Sequence, residues 1–257
     1  MGKIIRTFVA CGVCAAALSV GAAENGREKS AEFKFEVKTE TGFTTGNQSG
    51  PTAADFRDKA EKGDADAQYN LAVSYERGDG VKADRSESYK WYCKSAAQGY
   101  APAQNMVGAY VLRGIATPKN PEEAVKWFRK AAAQNYARAQ YNLGVCYEEG
   151  AGVAKDPAQA FAWYGKAAEQ GDAEAQTNLG NCFMNGIGTE KNPAAAVDLY
   201  RKAAEKGDAV GQYNLALCYA EGIAVKADAA TAAKWAEKAA KQGYEDAQKL
   251  LAKLNGK

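Results

Sequence analysis

A spacing of 36 residues governs this chain. Glutamine recurs at 68, 104, 140, 176, 212 and 248, and glycine on the same step at 78, 114, 150, 186 and 222. Tryptophan keeps the frame at 91, 127, 163 and 235, with Leu199 in the missing place. Alanine pairs follow at 131–132, 167–168, 203–204 and 239–240, preceded by Ser95-Ala96. Self-similarity at one fixed period marks an array of supersecondary units, none of which can bury its apolar face alone. The frame defines five units: 65–100, 101–136, 137–172, 173–208 and 209–244. An N-terminal half repeat (53–64) precedes them and a C-terminal capping helix (245–257) follows.

Each unit reads as two helices. In the third, Ala139, Leu143, Cys146, Tyr147 and Gly150 fall on one helical stripe. Gly150-Ala-Gly152 ends that helix, since glycine accepts positive φ. Asp156-Pro157 opens the next, with the carboxylate as N-cap and proline where no amide donor is needed. Asp84, Asn120-Pro121, Asn192-Pro193 and Asp228 repeat the signal. The second helix buries Ala160, Trp163, Tyr164, Ala167 and Ala168, and Gly171 closes it. Gly99, Gly207 and Gly243 are its equivalents, with Asn135 as the substitute that tolerates the same cap. These patterns predict an all-α, right-handed α-solenoid from about residue 53 to 254.

The run A-x-A-Q-Y-N-L-G-x-x-Y-x-x-G-x-G-V, then D-P-x-x-A-x-x-W-Y-x-K-A-A-E-Q-G, carries a resemblance. It is similar to the Sel-one-like repeat (SLR) family of the tetratricopeptide superfamily, over about four fifths of the chain. The resemblance implies a superhelix of helix pairs that serves as an adaptor for other proteins. Unit 101–136 departs most. Met106 replaces asparagine, Tyr110 stands where three other units have cysteine, and Ile115-Ala116-Thr117-Pro118 replaces the Gly-x-Gly-Val turn. A locally altered loop is expected there.

Composition narrows the chemistry. There is no histidine, which removes Ser-His-Asp and Cys-His nucleophiles, histidine metal sites and imidazole switches. The formal charge of +2 sets up no field that favours nucleic acid or an anionic membrane. Lys3 and Arg6, the apolar run from Phe8 to Val20, and Gly21-Ala22-Ala23 read as a secretory signal (1–23) cleaved after Ala23. The run falls short of the roughly 20 residues that cross a bilayer. A periplasmic or secreted protein is expected. Cys11-Gly-Val-Cys14 has redox spacing but lies inside the signal; a lipid-anchored Cys11 is the other reading. Residues 24–52 read as a flexible linker in which Phe33, Phe35 and Val37 alternate with charges, a possible short strand. That strand could add to a partner's sheet edge.

Four cysteines follow the signal. Cys146, Cys182 and Cys218 share one place in successive units, read as buried free thiols, since neighbouring helices stand too far apart for a disulfide. Cys93 aligns with Arg129, Gly165, Arg201 and Glu237, and is expected to be exposed and able to pair with another chain. A cysteine-rich branch of the resembled family implies penicillin binding and weak β-lactam hydrolysis. The second cysteine of its pairs is missing here, and no S-x-x-K exists. Thr231-Ala-Ala-Lys234 is the nearest shape, without the K-T-G partner that such chemistry uses. Gly78-Asp-Gly80 reads as an inter-helix turn, because no strand precedes it. No catalytic residue, cofactor or metal ligand is assigned. A cell-wall or β-lactam-related binder or hydrolase remains the alternative, by family analogy alone.

The candidate site is the inner face of the first helices. It comprises Tyr69, Asn70 and Arg77; Arg113; Tyr141, Asn142 and Glu149; Asn178, Asn181 and Asn185; Tyr213, Asn214 and Glu221. Asparagine in one place of four units can form a ladder for an extended peptide backbone, having both donor and acceptor. It can equally bond its neighbouring helix and fix the unit spacing. The reading is an exported, monomeric scaffold that binds another protein or peptide segment in a concave groove. It binds no nucleic acid and does not insert stably in a membrane.

Overall fold

The structure, a computed structural model, describes residues 52–256. The expected signal, its C-x-x-C and the segment up to residue 51 lie outside the described residues. Among the described residues there are twelve α-helices and no strand. They divide into two compact units. The N-terminal unit (52–155) holds α1 (Ala53–Glu61), α2 (Ala65–Arg77), α3 (Arg85–Ala97), α4 (Ala101–Arg113), α5 (Pro121–Ala133) and α6 (Ala137–Glu149). The C-terminal unit (156–256) holds α7 (Pro157–Glu169), α8 (Ala173–Asn185), α9 (Pro193–Glu205), α10 (Ala209–Glu221), α11 (Ala229–Lys241) and α12 (Glu245–Asn255). The fold class is the all-α solenoid of 36-residue helix pairs, and within each unit consecutive helices are packed on each other.

The helix ends are written in the sequence. Asp84 Oδ1 accepts from Ser86 N at 2.9 Å and Glu87 N at 3.1 Å, and Asp156 and Asp228 repeat this geometry. Asn120 and Asn192 each cap the third amide at 3.1 Å. First helices stop at a left-handed glycine, as Gly150 does with φ 76°. Asn135 closes α5 with φ 60°. The loop after α4 differs from the expectation. Its backbone is not altered: Ala116 takes φ 56° in the place where Gly152 has 73°. Alanine bears the left-handed strain there, and the turn keeps its shape.

The periodic glutamine is a lock. Gln68 Nε2 donates to Ala60 O at 3.0 Å, so α2 is tied to the last turn of α1. Its Oε1 accepts from Gln98 Nε2 at 2.8 Å, tying α2 to the end of α3. Gln104 repeats both bonds, to Ala96 O at 3.3 Å and from Gln134 at 2.8 Å. Gln212 does so again, to Ala204 O at 3.2 Å and from Gln242 at 2.9 Å. Unit 173–208 breaks the pattern, because Lys206 stands where the others have glutamine. Lys206 Nζ donates to Gly171 O at 2.6 Å, and Gln176 Oε1 is buried without a partner.

Packing within a helix pair rests on small residues facing rings. Tyr92, Tyr164, Tyr200 and Phe128 are fully buried. A Cβ on Gly180 would stand 2.6 Å from the Tyr200 ring, so α8 and α9 approach as closely as they do only because the residue is glycine. A two-unit alternation overlies the 36-residue period. Arg57 and Arg129 each donate to a tyrosine hydroxyl 18 residues on, Tyr75 and Tyr147, both at 3.0 Å. Arg201 bonds Tyr219 likewise. Between them stand Cys93 and Gly165, and one turn earlier an aromatic fills the room: Tyr89 stacks on Tyr110 at 5.7 Å and Phe161 meets Phe183 edge-on at 5.2 Å.

Candidate functional site

Within each unit first helices pack on second helices, and α4 also touches α6, and α8 touches α10, along the flank that carries the asparagines. That flank is not a ladder open to solvent. Asn142, Asn178, Asn181 and Asn214 are all buried, Asn214 completely. Asn142 Nδ2 donates to Asn105 Oδ1 of α4 at 2.7 Å. In the C-terminal unit, Asn214 Nδ2 donates to Asn181 Oδ1 at 3.0 Å, which also accepts from the Tyr200 hydroxyl at 2.8 Å. The Asn105–Asn142 and Asn181–Asn214 pairs therefore tie α4 to α6 and α8 to α10, Asn178 Oδ1 is buried without a partner, and the expected solvent-facing ladder is corrected: these four asparagines are interior. Alanine or glycine at the start of each first helix, as in Ala139, Ala175 and Gly211, lets the helices close until the flanking residue becomes interfacial.

The aromatic members are likewise packed in. Tyr69 is buried, 5.6 Å from the Tyr92 ring and 5.5 Å from Tyr100. Tyr141 lies under the Arg138 guanidinium at 5.2 Å, and Tyr213 meets Tyr244 at 5.1 Å. Asn70, half-buried, donates to Asp66 Oδ2 at 3.0 Å.

Besides Asn70, what reaches solvent is one place at the last turn of α2, α4, α6, α8 and α10. Arg77, Asn185 and Glu221 are exposed, and Arg113 and Glu149 are half-buried. Burial, with the Glu148 carboxylate beside it, pushes the Glu149 carboxyl up, against the pull of Lys155. Asn185 Nδ2 donates to Asn181 O at 3.0 Å. Sequence reading found this place but could not separate it from its buried neighbours, because spacing along one helix does not say how near the next helix comes.

Cys93 is half-buried, not exposed. Burial pushes its thiol up, and the Tyr89 hydroxyl bonds it. Cys146, Cys182 and Cys218 are buried and are in no disulfide. Thr231 donates to Asp228 Oδ2 at 2.6 Å and is part of the α11 cap. Among the described residues, no group of three histidines, cysteines or carboxylates is placed to hold a metal ion.

The Sel1 repeat matches the chain five times, over residues 65–100, 101–136, 137–172, 173–208 and 209–244. No curated protein matches the sequence. Among solved structures, the fold is similar to a protective antigen, c5321, of uropathogenic Escherichia coli with an SLR fold, at 35% identity and TM-score 0.72. That match covers 80% of this chain and 44% of the antigen, so this chain spans less than half the length of that relative. A Sel1 repeat protein from Oxalobacter formigenes is 37% identical with TM-score 0.70, covering 77% of this chain and 82% of that one. Five matches in the frame of the helix pairs, with solved structures of the same repeat above 30% identity, place the sequence: the chain belongs to the Sel1 repeat family.

Proposed function

We propose that the chain is an exported, non-catalytic scaffold that binds another protein along the last turns of its first helices. Sel1 repeat proteins mediate protein–protein interactions. The observation that carries the finer reading is the place occupied by Arg77, Arg113, Glu149, Asn185 and Glu221. It reaches solvent to some degree in every unit, while Tyr69, Tyr141, Tyr213, Asn142, Asn178, Asn181 and Asn214 of the same face are buried. It also changes in charge from unit to unit, where the packing positions repeat. A framework that recurs and a solvent-facing place that varies, within each compact unit by itself, is what selective protein recognition needs.

The experiment is an affinity pull-down from cell-envelope extract with residues 24–257. Its comparison is the variant Arg77→Ala/Arg113→Ala/Glu149→Ala/Glu221→Ala, shown folded by circular dichroism. A protein held by the first and lost by the second supports the reading. A protein held equally by both moves the site elsewhere. Export is checked separately, by the mass of the protein recovered outside the cytoplasm, expected to begin at Glu24.

A further inference from the structure

Five tyrosine rings of the N-terminal unit stand in one unbroken series of contacts. Centroid to centroid, Tyr100 lies 5.5 Å from Tyr69, Tyr69 5.6 Å from Tyr92, Tyr92 5.6 Å from Tyr110, and Tyr110 5.7 Å from Tyr89. Tyr69, Tyr92 and Tyr110 are buried, and the two ends, Tyr100 and Tyr89, are half-buried. The series depends on residues that leave the repeat. Tyr110 stands in the place of Cys146, Cys182 and Cys218, and Tyr89 in that of Val125, Phe161, Val197 and Ala233.

Packing alone does not call for the hydroxyls. In the next unit Phe128 fills the place of Tyr92 and is fully buried. In the series the hydroxyls meet proton acceptors. Tyr100 donates to Asp66 Oδ1 and Tyr92 to Glu76 Oε2, both at 2.8 Å. Glu76 also bonds the Tyr110 hydroxyl, which lies 3.2 Å from Ser88 Oγ. At the far end the Tyr89 hydroxyl bonds the Cys93 thiol.

We propose that the five rings carry a one-electron oxidation from Tyr100 to Tyr89, with the Cys93 S–H bond as the final donor. A phenol gives up an electron readily only as its proton leaves, and a hydrogen-bonded carboxylate receives that proton. Rings in contact pass the electron along the buried middle of the series. The oxidant is an oxygen-centred radical, such as an organic peroxyl radical, that meets Tyr100 at the surface. It takes one electron from the ring and one proton, relayed through the exposed Asp66, and leaves as the hydroperoxide. Each ring is then reduced by the next, and each phenol recovers its proton. The last electron and proton come from Cys93. The net change is one peroxyl radical converted to hydroperoxide and one thiol converted to a thiyl radical, with all the phenols restored.

The test exposes the full chain to peroxyl radicals from a water-soluble azo initiator in air, with a nitrone spin trap. Peptide mass mapping then locates the trapped radicals. Adducts are expected at Tyr100 and Cys93. Tyr92→Phe and Tyr110→Phe each keep a ring but lose the phenol. Both are expected to lower the Cys93 adduct severalfold and to leave the Tyr100 adduct in place. Tyr147→Phe, outside the series, should change neither. Unfolding would expose the thiol and raise its adduct, so a loss cannot come from a misfolded variant. In Cys93→Ser, the tyrosyl radical formed by a pulse of azidyl radical should outlive that of the unaltered chain. A Cys93 adduct undiminished in both phenylalanine variants would show direct attack on the thiol and overturn the proposal. So would no adduct at Cys93 in the unaltered chain, or an unchanged radical lifetime in Cys93→Ser.

Discussion

Lys206 is one residue in the place of a glutamine, and it leaves the Gln176 oxygen without a donor. A buried acceptor without a partner costs on the order of 1–3 kcal/mol, and a hydrogen bond gained contributes about 1 kcal/mol. Lys206→Gln is therefore expected to raise stability by about 1 kcal/mol, read as a higher urea midpoint at unchanged slope. An unchanged midpoint would show that the glutamine pairs in the other units are not energetic locks. Asn142 tests the opposite sign. Asn142→Ala removes the donor to the buried Asn105 oxygen and is expected to cost about 1–3 kcal/mol. It should leave partner capture intact in the cold, where the chain is still folded. The recurrence of asparagine was plain in the sequence; its role was not, because a side chain that bonds a peptide and one that bonds a neighbouring helix have the same spacing.

At the scale of the element, the glycines divide into those that sequence explains and those that only packing explains. Gly165 lies inside α7, and a Cβ there would meet nothing within 4 Å. Gly165→Ala should stabilise by about 0.5–1 kcal/mol, the helix-propensity difference. Gly180, also inside a helix, should respond the other way, since the Tyr200 ring stands in the way of a methyl group. Thermal melts of the two variants should move in opposite directions. The turns give a matching pair. Ala116 has positive φ, so Ala116→Gly is expected to gain about 1 kcal/mol. Gly152→Ala should lose considerably more, because the new Cβ would run into the Pro121 carbonyl. Helix starts and stops were legible from caps and glycines alone, as both are local chemistry. The loop at 115–118 misled because its residues lack glycine, while the backbone is set by the helices at either end.

For the whole molecule, stability should depend on alkaline pH more than on neutral pH. Burial pushes the Cys146 and Cys218 thiols up to about 12. In the unfolded chain such thiols ionise near about 8.5. Below that value both states keep the proton and the full stability is present. Between there and about 12 the unfolded state releases protons that the native state holds, so stability falls as pH rises. Burial also raises Tyr92, Tyr110 and Tyr200, which adds to the fall above about pH 10. Urea midpoints should be flat from about pH 6 to 8 and drop by pH 10, with a smaller drop in Cys146→Ala/Cys218→Ala. A flat profile to pH 10 would contradict the burial of these groups. The sequence by itself determined the period, the two-helix unit, the caps and the class of fold, because each follows from local rules repeated five times. Only the tertiary structure decided that Asn142, Asn178, Asn181, Asn214 and the tyrosines of the first helices are interior, and that Cys93 is half-buried. Burial depends on how closely one helix approaches the next, and that distance is fixed by side chains far apart in the chain.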